Sequence, residues 1–130
     1  MEVRTKQGAF SWNELLTRDV EAATRFYTEL FGWAPEKSTV PGYGEYTVFK
    51  VGGEPVAGLM QLPEAAEKAG APPYWGAYVT VDSVDEAVKK AQGMGATVLV
   101  PPMDIPGTGR FATIQDPQGA VLSFITYEEM

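Results

Sequence analysis

The sequence predicts an α+β fold: two βαβββ modules in one chain, forming a cup-shaped, partly closed, antiparallel-rich sheet. Three observations carry this. Residues 10–33, FSWNELLTRDVEAATRFYTELFGW, run as a strand, turn at Asp19, continue as a helix and stop at Gly32. A fainter copy, GAYVTVDSVDEAVKKAQGMG, occupies residues 76–95, with Asp19-Val20-Glu21 over Ser83-Val84-Asp85 and Trp12 over Gly76. Each copy is followed by short runs of strand-forming residues separated by turn residues.

Residues 1–8 read as a loose lead-in. Residues 9–17 read as a strand, in which alternation puts Trp12, Glu14 and Leu16 on one face. Asp19 is a good N-cap. Val20, Ala23, Phe26, Tyr27, Leu30 and Phe31 recur at helical spacing and form one apolar stripe, and Gly32 suits the left-handed position past the helix end. Strands follow over 34–40, 45–51 and 55–62, then a short helix over 63–69 within a linker of about residues 61–73. The second module begins near Tyr74. It has a strand over 74–81 and a helix capped by Ser83, with Glu86 completing a capping box. A strand over 96–100 stops at Pro101-Pro102. A loop spans 103–109, and strands over 110–115 and 121–127 flank the turn Asp116-Pro117-Gln118-Gly119. The expectation is a single domain over 1–130, with module one at about 9–62 and module two at about 74–127.

The chain has 130 residues, enough for one ordinary hydrophobic core. Its net charge is −7, without a basic stripe. That argues against nucleic acid, whose phosphates need Lys and Arg, and against an anionic membrane. No run is apolar for the ~20 residues a membrane helix needs, and MEVRTKQGAF has no signal-like apolar core, so cytoplasmic location is the default. There is no Cys and no His. Disulfides, thiolate nucleophiles, His-activated serines and the commonest transition-metal ligand are thereby excluded. No cofactor is expected.

The βαβββ repeat, the run DVEAATRFYTELFGW (residues 19–33) and the DPQGA turn (residues 116–120) resemble the vicinal oxygen chelate superfamily, which includes the glyoxalases, bleomycin-resistance proteins and extradiol dioxygenases. The stretch PMDIPGTGRFATIQDPQGA (residues 102–120) is similar to glyoxalase-like bacterial proteins. The resemblance implies metal ligands early on the first strand and on the last strand of each module. Those positions match Trp12 and Gly76, and Gly58 (or Leu59) and Ser123, none of them a useful ligand. The resemblance therefore implies no metal site, and loss of glyoxalase I or ring-cleaving chemistry. It also includes metal-free members that hold a flat molecule in the cup.

Trp12, Glu14, Gly76, Tyr78, Met103, Arg110 and Ser123 are the candidate ligand-binding residues. Trp12 offers a stacking face and Glu14 a carboxylate beside it, with Tyr78 its repeat partner and a candidate hydrogen-bond donor. Gly76 leaves room opposite Trp12, and Ser123 and Met103 complete the lining. Arg110 suits an anionic group, or pairs with Asp104 or Asp116. Tyr43, Tyr46, Phe49, Tyr74, Trp75 and Phe111 add aromatic density, for a planar ligand or for sheet packing; Trp75 is expected under a helix or at an interface. The reading is a metal-independent protein that binds a small planar or aromatic molecule. One alternative is a lyase or isomerase with Glu14 as general base. The other is a non-catalytic accessory domain whose cup is plugged by aromatics. A homodimer fits exposed Trp and Tyr residues, while two modules in one chain also allow the cup to close within a monomer.

Overall fold

The computed structural model describes residues 2–42, 44–68 and 70–128. Tyr43, Ala69 at the expected end of the linker helix, and Glu129 and Met130 of the tail lie outside the described residues. Contacts divide the chain into two compact units, residues 12–76, and residues 1–11 with 77–130.

The unit of residues 12–76 carries β1 (Phe10–Thr17) from residue 12 on, α1 (Val20–Phe31), β2 (Ala34–Val40), β3 (Gly44–Val51), β4 (Glu54–Gln61) and the short α2 (Glu64–Lys68). Its strands lie in the order β2-β3-β4-β1. β1 and β4 run parallel, and β3 is antiparallel to both of its neighbours. The helix bounds follow from its caps. Asp19 Oδ1 accepts from the Ala22 N–H at 3.0 Å, and Gly32 takes φ 73°, where a Cβ would be strained. Leu15, Phe49, Ala57 and Leu59 form the core, and Val20, Ala23, Tyr27 and Trp33 pack against it. Trp75 is where the sequence put it: its Nε1 donates to the Tyr27 hydroxyl on α1 at 3.2 Å.

The other unit carries β5 (Tyr74–Thr80) from residue 77 on, α3 (Val84–Gly93), β6 (Thr97–Ile105), β7 (Gly109–Gln115) and β8 (Val121–Tyr127), in the strand order β5-β8-β7-β6. The chain order is βαβββ again. Ser83 caps α3 by accepting from the Glu86 N–H at 3.3 Å. Val81, Val84, Val88 and Ala112 make the core, with Ala87, Val98 and Phe124 beside them.

Two sequence expectations are corrected. The lead-in is not loose. Residues Val3–Thr5 form a 3₁₀ turn, the Gly8 N–H donates to the Thr80 carbonyl at 2.8 Å, and the Thr80 N–H returns a 2.8 Å bond to Ala9. Hydrogen bonds therefore hold this segment onto the second module's unit. The second correction is β6, which does not stop at Pro101-Pro102 but runs on through Met103 to Ile105. It ends its unit's strand order, where a missing N–H is tolerated, and its register with β7 shifts between Val98 and Val100 and between Val100 and Met103, so the prolines sit at irregularities.

Candidate functional site

Alternation along β1 sends Leu15 into the core and leaves Glu14 on the other face, in line with Trp12. In β3 the same alternation buries Thr47 and Phe49 and turns Tyr46 and Val48 the opposite way. The register joins these faces. Glu14 pairs with Gly58 of β4, and Gly58 pairs with Val48 of β3, so Tyr46 lies diagonally across from Gly58. A Cβ built on Gly58 would overlap the Tyr46 hydroxyl. The phenol is seated where β4 offers no side chain.

There the Tyr46 hydroxyl donates to Glu14 Oε2 at 2.7 Å and accepts from Trp12 Nε1 at 2.9 Å. Glu14 is only 6% exposed. A buried carboxylate needs a donor, and a phenol that accepts from an indole N–H is polarised toward donating. Tyr74 stands nearby. Burial, and secondarily the negative charge of Glu14, push its hydroxyl above the ordinary phenol value. The room expected beside Gly76 is taken up: a Cβ there would meet the Tyr74 ring at 3.3 Å and Leu16 Cδ1 at 3.7 Å.

The second module repeats the register with other chemistry. Tyr78 pairs with Ser123 as Glu14 does with Gly58, which places Gly58, not Leu59, at the position matching Ser123. Ser123 Oγ shares a 2.7 Å hydrogen bond with Thr113 Oγ1, and the Tyr78 ring lies 6.4 Å from that of Phe111. Phe111 is the counterpart of Tyr46, since Thr113 faces Ser123 as Val48 faces Gly58. The acid–phenol pair of module one is a pair of aromatic rings in module two.

Arg110 takes the ion-pair reading. Its Nε and Nη2 donate to Asp85 at 2.9 and 3.1 Å, and its Nη1 to Asp104 at 3.0 Å. Asp116 instead closes its own turn, accepting from the Gln118 and Ala120 N–H groups. Met103 lies in register with Phe111 and is 41% exposed. The site residue that sequence reasoning passed over is Tyr46, counted only among the aromatics. Its signal was a glycine inside a strand, which makes room for an aromatic on the neighbouring strand. A separate open hollow of about 510 Å³ is lined by Arg18, Asp19, Glu21, Glu45, Met60 and Gln61. Its described lining is rimmed by charge and has no aromatic side chain, unlike the Trp12 face.

The model of the glyoxalase/bleomycin resistance protein/dioxygenase superfamily matches residues 9–124. The chain belongs to this superfamily. It is 42% identical over 118 residues to the Mycobacterium tuberculosis protein named "Putative glyoxylase CFP32", covering 90% of this chain and 45% of that one. It is 34% identical over 130 residues to the anthracycline biosynthesis protein DnrV of Streptomyces peucetius, covering 92% of this chain and 47% of that one. The chain thus spans about half the length of the curated relatives it matches. Among solved structures, methylmalonyl-CoA epimerase from M. tuberculosis superposes with a TM-score of 0.67 at 16% identity, over 96% of this chain and 92% of that one; the likeness is one of fold.

The positions expected for the superfamily's metal ligands hold residues of another kind. They are an indole (Trp12), two glycines (Gly58 and Gly76) and a hydroxyl (Ser123), and the hydroxyl is bonded to Thr113. The space beside Gly58 is filled by the Tyr46 phenol. Among the described residues no three Asp, Glu, His or Cys side chains gather to hold a metal ion. These residues do not fit a divalent cation, which calls for carboxylate, imidazole or thiolate donors.

Proposed function

We propose that this chain is a metal-independent binding protein for a small planar or aromatic molecule, recognised on the Trp12–Glu14 face of module one. The observation that carries the reading is the Tyr46 hydroxyl, seated over Gly58 and tying Trp12 to Glu14. The triad presents an aromatic face held by its N–H beside an acceptor held by a phenol. That combination suits a flat ligand with a hydrogen-bond donor at its edge. The kinship with DnrV points the same way, since anthracyclines are flat fused-ring aromatics.

A second reading rests on the burial of Glu14, since a carboxylate kept from water is a stronger base toward an activated C–H than an exposed one. In this reading the chain is a lyase or isomerase, with Glu14 as the base and Tyr46 holding its geometry. One experiment separates the two. The full chain is titrated with an anthracycline while tryptophan fluorescence is followed, and native mass spectrometry of freshly purified protein looks for a retained small molecule. Saturable quenching that Trp12→Phe weakens supports binding. Turnover of a retained molecule that Glu14→Gln abolishes, with its binding spared, supports the base. A clean apo mass with no quenching would sink both readings.

A further inference from the structure

The open hollow past the end of β1 is lined by charges that the fold uses and by two that it does not. Asp19 caps α1, its Oδ1 accepting from the Ala22 N–H at 3.0 Å. Glu21 holds Lys37, whose Nζ donates to Glu21 Oε1 at 2.5 Å. That bond is the main influence raising the Lys37 ammonium, and the charge of Glu45 is the least. Arg18 and Glu45 line the same hollow. Among the described residues neither forms an ion pair, with each other or with any third group. A cation and an anion thus face one space without meeting across it.

Arg18 is also held in place. The Gln61 side-chain amide donates to the Arg18 carbonyl at 3.0 Å, which fixes its backbone against β4. Its Nη2 donates to the Ala71 carbonyl at 3.0 Å, which fixes the guanidinium. A planar guanidinium held at one nitrogen keeps its other N–H donors for a carboxylate. Val20 and Met60 give the hollow apolar lining, and Gly44 leaves it open, since a Cβ there would meet nothing within 4 Å. A space of about 510 Å³ is of the size that takes a small molecule. The net charge of −7 opposes a simple anion, and Arg18 opposes a simple cation. A molecule that carries both charges finds a partner for each.

We propose that this hollow binds a small zwitterion of the amino-acid class, with its carboxylate on Arg18, its ammonium on Glu45 and an apolar side chain against Val20 and Met60. The proposal stands independently of the Trp12 reading. An NMR titration of the full chain with L-leucine tests it, followed through the signals of the Gly44 amide and the Gln61 side-chain amide. Two further probes each lack one charge: isocaproate keeps the carboxylate alone, and isoamylamine the ammonium alone. Leucine is expected to shift those signals saturably, and each single-charge probe to bind about ten-fold more weakly. Arg18→Gln and Glu45→Gln are each expected to weaken leucine binding about five- to ten-fold. If Arg18→Gln disturbs the fold through its lost tie to Ala71, Arg18→Lys, which keeps the charge without the planar fork, is expected to weaken leucine binding by less than Glu45→Gln does. No saturable shift with leucine up to its solubility overturns the proposal. So does a single-charge probe that binds as tightly as leucine, or leucine binding that is indifferent to the charge at either position.

Discussion

A Cβ on Gly58 would not only overlap the Tyr46 hydroxyl but come within 2.5 Å of its ring carbon Cζ, so small shifts of the ring do not relieve the clash. Gly58→Ala must therefore drive Tyr46 off both Trp12 and Glu14. It strips a donor from a carboxylate that water barely reaches. The expected cost is about 2–4 kcal/mol, the sum of overpacking and a buried acceptor left short of a partner. Tyr46→Phe removes the hydroxyl without overpacking and should cost less, about 1–3 kcal/mol. Urea midpoints with unchanged slope measure both, and a neutral Gly58→Ala would show that Tyr46 is not seated over Gly58. Trp12 and Glu14 on one face were legible in the sequence, because strand alternation is local. Tyr46 was not, because its approach depends on the pairing of Val48 with Gly58, and cross-strand register is not written in either strand alone.

The helices were the most legible elements, since each carries its own start signal. Asp19→Ala should cost about 1 kcal/mol by leaving the Ala22 N–H without its cap, seen as a lowered melting temperature. β6 was legible only to Val100, because Pro101-Pro102 ends a strand in general but not at the end of a strand order with shifted register. Longer-range ties between elements were the least legible. Arg110 on β7 holds Asp85 in the first turn of α3, and its hydrogen bonds, with its charge acting second, keep the Asp85 carboxyl below the usual range. A lowered carboxylate contributes stability that is present above the ordinary value of ~3.9 and is lost as pH falls through the folded-state value. Asp85→Asn is therefore expected to melt at a lower temperature than wild type at neutral pH, with the two curves converging in acid. A gap that stays constant down to the acid limit would mean that the pair contributes nothing through charge.

At the scale of the molecule, the repeat was legible because both modules share one strand–helix pattern, Asp19-Val20-Glu21 over Ser83-Val84-Asp85, and the fold carries it into one shared register, Glu14 with Gly58 and Tyr78 with Ser123. What filled that register differently was not legible, and neither was the N-terminal segment, whose ties reach across the sequence to Thr80 and Tyr127. One of those ties yields a test confined to the second module's unit. Tyr127 shares a 2.8 Å hydrogen bond with Ser11, and burial raises its phenol above the ordinary value, with the Ser11 bond and the charge of Arg4 working weakly the other way. In the unfolded chain this phenol ionises near ~10. A raised folded-state value gives stability that is intact below that pH and is lost as pH climbs through the folded value. Tyr127→Phe has no proton to lose. It should be less stable at neutral pH by about 0.5–1.5 kcal/mol for the missing hydrogen bond, yet lose stability less steeply in alkali. Tyr74, in the other unit, is 37% exposed, so solvent screens it and its effect should be smaller. All three tryptophans lie in the unit of residues 12–76, so their fluorescence follows that unit while circular dichroism follows both. The flattening should appear in the dichroism midpoints. Parallel loss of stability by wild type and Tyr127→Phe above ~10 would show that this phenol is ionised as easily in the fold as out of it.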